Sequence, residues 1–93
     1  MRTIEYTTKF KCDYKRESKG IYKKNLANDL KLAIQLLGGD VLLPTHYYDH
    51  ALIGDWKDHR DCHIKPDLVL IYRKPDETTL QLVRLGSHSQ LGM

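Results

Sequence analysis

The stretch DLVLIYRKPDETTLQLVRLG, residues 67–86, decides the fold. Residues 68–72 form a nearly continuous apolar run, which predicts a strand that is buried on both faces. "PDET" at 75–78 has the composition of a turn. Residues 79–86 alternate between the two faces of a second strand, and Gly86 closes it. Two consecutive strands joined by a short turn predict an antiparallel pair.

The first third of the chain predicts one short strand and two helices. "TIEYT" at 3–7 alternates and is rich in β-forming residues. From Thr8 to about Ser18 the chain is polar and basic, with Phe10 and Tyr14 one helical turn apart. Residues 22–37 predict the clearest helix. Its apolar face comprises Leu26, Leu30, Ala33, Ile34 and Leu37.

The middle of the chain predicts a long loop and then a strand. Residues 39–55 have few periodic cues, and loops of that length are often functional. From Trp56 to Ile64 the sequence alternates, which predicts a strand with Trp56, Asp58, Arg60, Cys62 and Ile64 on one side. The order is therefore β-α-α-β-β-β. It predicts a single α+β domain over residues 1–93, with a mainly antiparallel sheet and a helical hairpin on one face.

Size and composition restrict the class of protein. The chain has 93 residues, of which 41% are hydrophobic and 29% charged, as in an ordinary folded domain. No window approaches the roughly 18 apolar residues of a membrane span. The N-terminus lacks the apolar run of a secretory signal. We therefore predict a cytoplasmic protein without a membrane partner. Cys12 and Cys62 are not in a CxxC pair and are expected to be reduced thiols.

Positive charge is concentrated near the N-terminus. The net charge of the chain is +3, but residues 1–25 alone carry eight basic residues against three acidic ones. A basic segment on a small domain predicts a polyanionic partner such as nucleic acid. The alternative is a lysine-rich helix that is simply solvated.

The stretch DCHIKPD, residues 61–67, places ionisable groups directly before the buried strand. One interpretation is a metal site built from His59 and His63 with Cys62 or His50. On a strand, however, Cys62 points away from His63, and the HxxxH spacing suits a helix. A second interpretation is structural, with surface histidines, Trp56 in the core and a solvated ion pair between Arg60 and Asp61.

A third interpretation is general acid–base chemistry on an RNA phosphodiester. RNA carries its own nucleophile, the ribose 2′-hydroxyl, so cleavage needs a base, an acid and nearby cations. Histidine serves in both proton-transfer roles because its ordinary pKa is about 6.5. Such chemistry needs no cofactor and no metal. The candidate proton-transfer groups are His50, His63, Asp67 and His88. The candidate cations are Lys57, Arg60 and Arg84.

Two segments, DHALIGDWKDHRDCHIKPDLVLIY (49–72) and RLGSHSQL (84–91), resemble the YafQ branch of the RelE-like bacterial toxins. The family pattern is HxLxGxWKxxRDxHIxPDxxLIY, followed by R-x-G-[ST]-H-x-x-L. The matching positions are His50, Leu52, Gly54, Trp56, Lys57, Arg60, Asp61, His63, Ile64, Pro66, Asp67, Leu70, Ile71, Tyr72, Arg84, Gly86, Ser87, His88 and Leu91.

The resemblance implies a microbial-RNase-like, RelE-like α+β fold. It also implies a type II toxin, a ribosome-dependent mRNA endoribonuclease that cuts the codon in the ribosomal A site and stops translation. In this branch, the positions matching His50, His63, Asp67 and His88 act in catalysis. Those matching Trp56 and Asp61 support the site, and Arg84 matches an arginine near the scissile phosphate.

The implied partners are a cognate antitoxin protein and the ribosome with its mRNA. Operator DNA would be bound only through the toxin–antitoxin complex. One position departs from the family pattern, since the aromatic residue that usually follows the leucine of S-H-x-x-L is Gly92 here. An aromatic side chain there can stack on a base. The alternative function is therefore a catalytically weak or inactive member that acts as an antitoxin- or ribosome-binding module.

Overall fold

The structure, a computed structural model, describes residues 1–92. The helices are α1 (Thr8–Glu17) and α2 (Leu26–Gly38). The strands are β1 (Thr3–Tyr6), β2 (His50–Ala51), β3 (Arg60–Lys65), β4 (Leu68–Arg73) and β5 (Thr79–Gly86). The predicted α+β class is confirmed, with one short strand, β2, in addition to the predicted order.

All five strands form one sheet in the order β1-β5-β4-β3-β2. The β3–β4 and β4–β5 pairs are antiparallel, as predicted, and the additional strand β2 is antiparallel to β3. The β1–β5 pair is parallel, and Thr3 lies opposite Thr79. The first and last strands of the described chain are therefore neighbours in the sheet.

The main hydrophobic core lies between the sheet and the two helices. From the helices it includes Phe10, Leu26, Leu30, Ala33 and Leu37. From the sheet it includes Cys62, Ile64, Leu68, Leu70, Tyr72, Leu80, Leu82 and Leu85. The residues of β4 alternate, so that Leu68, Leu70 and Tyr72 face the helices.

A second, smaller cluster covers the opposite face of the sheet. Val69 and Ile71 of β4 are fully buried there. They pack with Leu52, Trp56, Val83 and Leu91. This second cluster explains why β4 is apolar on both faces, since the connection before β3 and the C-terminal turn cover the side away from the helices.

The helices differ from their predicted bounds mainly at the start of α2. The hydroxyl of Thr7 caps α1 by accepting a hydrogen bond from the Phe10 N–H at 3.0 Å. Helix α2 begins at Leu26 rather than at residue 22, because residues 21–25 form hydrogen-bonded turns. The apolar spacing continues through Tyr22, which packs against the core from the turn. Periodicity therefore extends beyond the helix itself.

The strand predicted from Trp56 is wrong in its first four residues. Residues Gly54–Trp56 form a single 3-10 turn, and Asp58 has a φ of 69°, which is incompatible with an extended strand. Strand β3 begins at Arg60. Trp56 packs in the second cluster, on the face opposite Cys62 and Ile64, although the alternation predicted the same face.

In residues 1–92, no helix is long and apolar enough to cross a bilayer.

Candidate active site

Strand β3 carries Asp61 and His63 on the face of the second cluster. Asp61 lies opposite His50 of β2 and opposite Ile71 of β4. Residues directly opposite one another share a face of the sheet. The next row along the same face places His63 opposite Val69. Two rows of the sheet thus supply an acidic and an imidazole side chain next to the edge strand β2.

Asp61 is a buried carboxyl group near three histidines, His50, His63 and His88. Its side chain is 1% exposed, and neither oxygen has a hydrogen-bond partner among residues 1–92. The Nδ1 atom of His50 lies 3.0 Å from Asp61 Oδ1, but its hydrogen bond goes to the Tyr48 carbonyl at 2.8 Å. Burial raises the pKa of Asp61, and the imidazoles of His50, His63 and His88 oppose that shift.

His63 lies between two aromatic neighbours. Its ring centroid is 5.4 Å from that of Tyr48 and 5.0 Å from that of His88. The imidazoles that come from β3 and from the C-terminal turn are therefore adjacent.

His88 is held by Asp67. The Nδ1 atom of His88 lies 3.0 Å from Asp67 Oδ1, and the His88 backbone N–H donates to the same oxygen at 3.4 Å. These bonds lower the pKa of Asp67, so this exposed carboxyl group is ionised at neutral pH. The pair gives His88 a fixed orientation and a neighbouring negative charge.

The C-terminal turn that carries His88 is stabilised by reciprocal hydrogen bonds. The Ser87 N–H donates to Gln90 Oε1 at 2.8 Å, and the Gln90 N–H donates to Ser87 Oγ at 3.2 Å, which is the capping-box pattern. Leu91 anchors the turn in the second cluster. A Cβ at Gly86 would lie 3.0 Å from Arg16 Nη2 and from Gln90 Oε1, so glycine keeps α1 close to this turn.

His50 is positioned by the residue before it. Asp49 Oδ1 accepts a hydrogen bond from the Tyr72 hydroxyl at 2.5 Å, and its Oδ2 lies 3.2 Å from Arg60 Nη2. Both partners are on the helical side of the sheet, opposite each other in β3 and β4. Asp49 therefore fastens the loop to the sheet immediately before β2.

Arg84 is paired with Asp13, which α1 presents to β5. The Asp13 carboxylate accepts from Arg84 Nε at 2.7 Å and from the Leu85 N–H at 3.0 Å. Arg16 Nη1 donates to it at 3.0 Å. Burial alone would raise the pKa of Asp13, but these donors outweigh burial and the pKa is lowered.

Comparison with known proteins identifies the family to which this site belongs. The family described as "Bacterial toxin of type II toxin-antitoxin system, YafQ" matches residues 2–93.

The chain belongs to the YafQ toxin family.

Individual YafQ proteins are similar to this chain in sequence and in structure. The mRNA interferase toxin YafQ of Escherichia coli K12 is 40% identical over 91 residues, which are 97% of this chain and 95% of that protein. The crystal structure of YafQ from E. coli BL21(DE3) matches with a TM-score of 0.85 and 38% identity, over 98% of each chain. YafQ in the E. coli DinJ–YafQ toxin–antitoxin complex matches with a TM-score of 0.76 and 36% identity, over 97% of this chain and 96% of that one.

Five of the residues singled out by the YafQ resemblance lie close together. They are His50, Asp61, His63, Asp67 and His88. The other four have different surroundings. Trp56 is in the second cluster, with its ring 5.4 Å from His59. Arg60 pairs with Asp49, Arg84 pairs with Asp13, and Lys57 is exposed.

Asp13, Tyr48 and Asp49 were not predicted to contribute. Asp49 could have been found, since it begins the first segment that resembles the YafQ family. Asp13 lies in the basic N-terminal segment, and no local pattern relates it to residues 84 and 85. Tyr48 lies in a loop without periodicity.

The groups proposed for a metal site do not converge. In the described part of the chain, no three His, Cys, Asp or Glu side chains are arranged so that they could hold a metal ion. Cys62 is buried in the main core, and burial raises the pKa of its thiol. It therefore lies on the face opposite His63.

Proposed function

We propose that this protein is the toxin of a type II toxin–antitoxin pair and a ribosome-dependent mRNA endoribonuclease of the cytoplasm. It enters the ribosomal A site, cuts the mRNA there and so inhibits translation. The proposal is supported by the similarity to a protein named mRNA interferase toxin YafQ over nearly the whole chain. It is also supported by a site whose groups suit cleavage by the ribose 2′-hydroxyl without a cofactor.

The observation that carries the proposal is the pair of oriented histidines, His50 and His88, that both lie near Asp61. His50 is fixed through Nδ1 by the Tyr48 carbonyl, and His88 is fixed through Nδ1 by Asp67. Each therefore keeps its Nε2 atom for a substrate. Two such imidazoles are what a reaction with one proton removed and one proton added requires.

We assign the role of general base to His50. A carbonyl oxygen only accepts hydrogen bonds, so the Tyr48 carbonyl requires the proton of His50 to be on Nδ1. The neutral ring then carries its lone pair on Nε2. That nitrogen takes the proton of the 2′-hydroxyl as its oxygen attacks the phosphorus.

We assign the role of general acid to His88. The carboxylate of Asp67 accepts a hydrogen bond from Nδ1–H of His88 and fixes the ring with Nε2 directed away from Asp67. The Nε2–H group then protonates the 5′-oxygen as its bond to phosphorus breaks. The low pKa of Asp67 makes it a weak base, which favours an orienting role over removal of the 2′-hydroxyl proton.

His63, Asp61 and the cations complete the site in this proposal. Asp61 interacts electrostatically with His50, His63 and His88 and so contributes to the field of the site. His63 is adjacent to His88 and contacts the phosphate or assists as acid. Arg84 approaches the phosphate through Nη1, because its Nε and Nη2 donate to Asp13, and Lys57 adds a positive charge. Arg60 binds Asp49, the residue before His50, and so helps to position His50 indirectly.

The proposal is tested by primer extension on an mRNA translated in vitro. The wild-type protein is expected to produce breaks in phase with codons, only when ribosomes are present. His63→Ala and His88→Ala are expected to reduce cleavage at least about 100-fold, in line with loss of a general acid or base. His59→Ala is the matched control, since the His59 ring lies 5.4 Å from that of Trp56 and outside the cluster of His50, His63 and His88.

Cleavage by a folded His88→Ala protein at the wild-type rate would remove His88 from the mechanism. Breaks that do not require ribosomes would contradict the A-site assignment.

The proposed protein partner is a cognate antitoxin. The similar E. coli YafQ forms a toxin–antitoxin complex with DinJ. The basic residues of the N-terminal segment suit an acidic antitoxin surface as well as ribosomal RNA. Operator DNA would be bound through the complex rather than by the toxin alone.

A second candidate function is binding without cleavage. The observation that favours it is Gly92, which stands where the family usually has an aromatic residue. Gly92 is exposed, and an added Cβ would meet no atom within 4 Å. A weak or inactive toxin would still bind the antitoxin and the ribosome. In the primer-extension experiment, ribosome binding by a well-folded wild-type protein without any breaks would establish this alternative.

A further inference from the structure

We propose that Tyr48 is a stacking platform for one base of the mRNA, in a subsite next to His63. This inference rests on the proposed function and deepens it, because it names the part of the substrate that the site holds and the residue that holds it. A base there would belong to a nucleotide adjacent to the scissile phosphate, since His63 and His88 are neighbours.

Tyr48 is exposed although it is large and aromatic. Its side chain is 67% exposed, whereas Tyr72 of the core is 2% exposed. The ring has one described aromatic contact, with His63, at a centroid distance of 5.4 Å and an interplanar angle of 57°. An aromatic ring in this position leaves most of its surface for a ligand.

The backbone conformation at Tyr48 is one that tyrosine adopts unfavourably. The requirements of the turn therefore do not explain why a tyrosine is at this position. Its φ and ψ are 49° and 40°, a left-handed conformation that glycine and asparagine adopt more readily. The turn itself is formed by the backbone, since the Tyr48 N–H donates to the Thr45 carbonyl at 3.0 Å. A tyrosine in such a conformation is strained, and backbone strain of this kind is found most often at functional sites.

A recess of about 430 Å³ lies beside the ring. It is lined by His46, Tyr48, His63, Ile64, Lys65 and Pro66. These side chains combine aromatic rings, apolar surface and hydrogen-bond donors. A nucleobase has the complementary chemistry, with two apolar faces for stacking and polar edges for hydrogen bonds.

The other side of the site offers no aromatic group for this purpose. Residues 86–92 contain none of Phe, Tyr or Trp. Trp56 is half-buried in the second cluster. Within the described chain, Tyr48 is the exposed aromatic ring that contacts a candidate catalytic residue.

The test compares wild type with Tyr48→Asn and Tyr48→Phe in single-turnover cleavage of ribosome-bound mRNA. Asparagine suits the left-handed backbone and keeps the carbonyl that binds His50, so only the ring is lost. Tyr48→Asn is expected to lower the cleavage rate at subsaturating toxin by about tenfold or more, as for loss of one stacked base. Tyr48→Phe is expected to match wild type.

A second measurement separates stacking from a structural effect. Messages with one abasic nucleotide at each position of the A-site codon are cleaved by wild type and by Tyr48→Asn. At one position the missing base is expected to slow wild type to the rate of the variant, with no further loss in the variant. Tyr6→Ala is the matched control, since Tyr6 is an exposed tyrosine on β1 at the opposite edge of the sheet.

The outcomes distinguish this inference from the function on which it rests. Absence of cleavage by the wild-type protein would overturn both. Cleavage by Tyr48→Asn at the wild-type rate, or equal losses of both proteins on every abasic message, would overturn stacking and leave the endoribonuclease intact. If Tyr48→Asn melts well below wild type, Tyr48→Leu replaces it in the same comparison.

Discussion

At the scale of single residues, two aspartates of the site have opposite environments. Asp61 is buried without a hydrogen-bond partner in the described chain, and burial raises its pKa. Asp67 is exposed, and its bonds to His88 lower its pKa. Carboxyl groups whose environments separate their pKa values usually have different roles. Here Asp61 lies near His50, His63 and His88 together, whereas Asp67 forms its hydrogen bonds with His88.

The assignment of His50 as base and His88 as acid predicts a selective rescue. An mRNA whose scissile 5′-oxygen is replaced by sulfur has a leaving group that needs no proton. We expect His88→Ala to cleave this substrate within about tenfold of the wild-type rate, because general-acid catalysis is worth about 10²–10⁴ and is no longer needed. His50→Ala is expected to remain slow on both substrates. The measurement is the single-turnover rate on the ribosome.

The opposite pattern, with rescue of His50→Ala and not of His88→Ala, would exchange the two roles. Equal rescue of both variants would mean that neither histidine acts alone as the acid.

The sequence predicted candidate site residues that the fold brings together, but not the contacts that hold them in place. His50, His63, Asp67 and His88 were candidates both from their residue types and from the family resemblance, and the fold brings them together. The pairs Asp13–Arg84 and Asp49–Tyr72 join residues far apart in the chain. Such pairs depend on tertiary structure and have no local pattern.

At the scale of elements, prediction succeeded where local pattern and burial agree. Strand β4 and helix α1 were predicted nearly to the residue, since one is apolar on both faces and the other has a capped start. Prediction failed at residues 56–59, where the alternation of the sequence continues but the backbone forms turns. The positive φ of Asp58 ends the strand there, and only a glycine at that position would have signalled it.

The attachment of α1 to β5 predicts a large loss of stability in Asp13→Ala. The substitution leaves the buried side of Arg84 and the Leu85 N–H without their acceptor. We expect the free energy of unfolding at pH 7 to fall by about 3 kcal/mol. Urea denaturation measures it. Asp55→Ala, which changes an exposed aspartate, is the matched control and is expected to alter stability by less than about 0.5 kcal/mol.

The same bonds predict how stability depends on pH. The pKa of Asp13 is lowered from its ordinary value of 3.8, so its contribution is complete above that value and is lost as the pH falls through the lowered pKa. The difference between wild type and Asp13→Asn is therefore expected to be constant near pH 7 and to shrink below about pH 4. A difference that grows in acid would contradict the assignment.

At the scale of the whole molecule, the basic segment and the candidate site adjoin. Arg16 of α1 donates to the Leu85 carbonyl at 3.0 Å, at the end of the strand that leads to His88. The lysines of this segment are exposed. The molecule is small, with a radius of gyration of 12.3 Å. Its basic helix can therefore contact RNA at the same time as the site does.

This arrangement predicts a strong dependence of ribosome binding on salt. We expect the logarithm of the affinity to fall linearly with the logarithm of salt concentration. The double variant Lys15→Gln/Lys19→Gln is expected to reduce the slope by about one to two units, at roughly 0.7–0.9 for each phosphate that a lysine no longer neutralises. Lys74→Gln is the control, because the Lys74 ammonium is paired with Asp40. An unchanged slope in the double variant would place these lysines outside the interface.

The parallel pairing of β1 with β5 has a consequence for synthesis of the chain. Thr3 pairs with Thr79, so β1 leaves the ribosome long before its partner exists. At about 5–20 residues per second, the wait is roughly 4–15 s. The segment that carries His88 follows β5 directly and is made later still. A nascent molecule therefore has neither the complete sheet nor all of the candidate site residues until the last part of the chain has been made. The same long-range pairing predicts slow refolding.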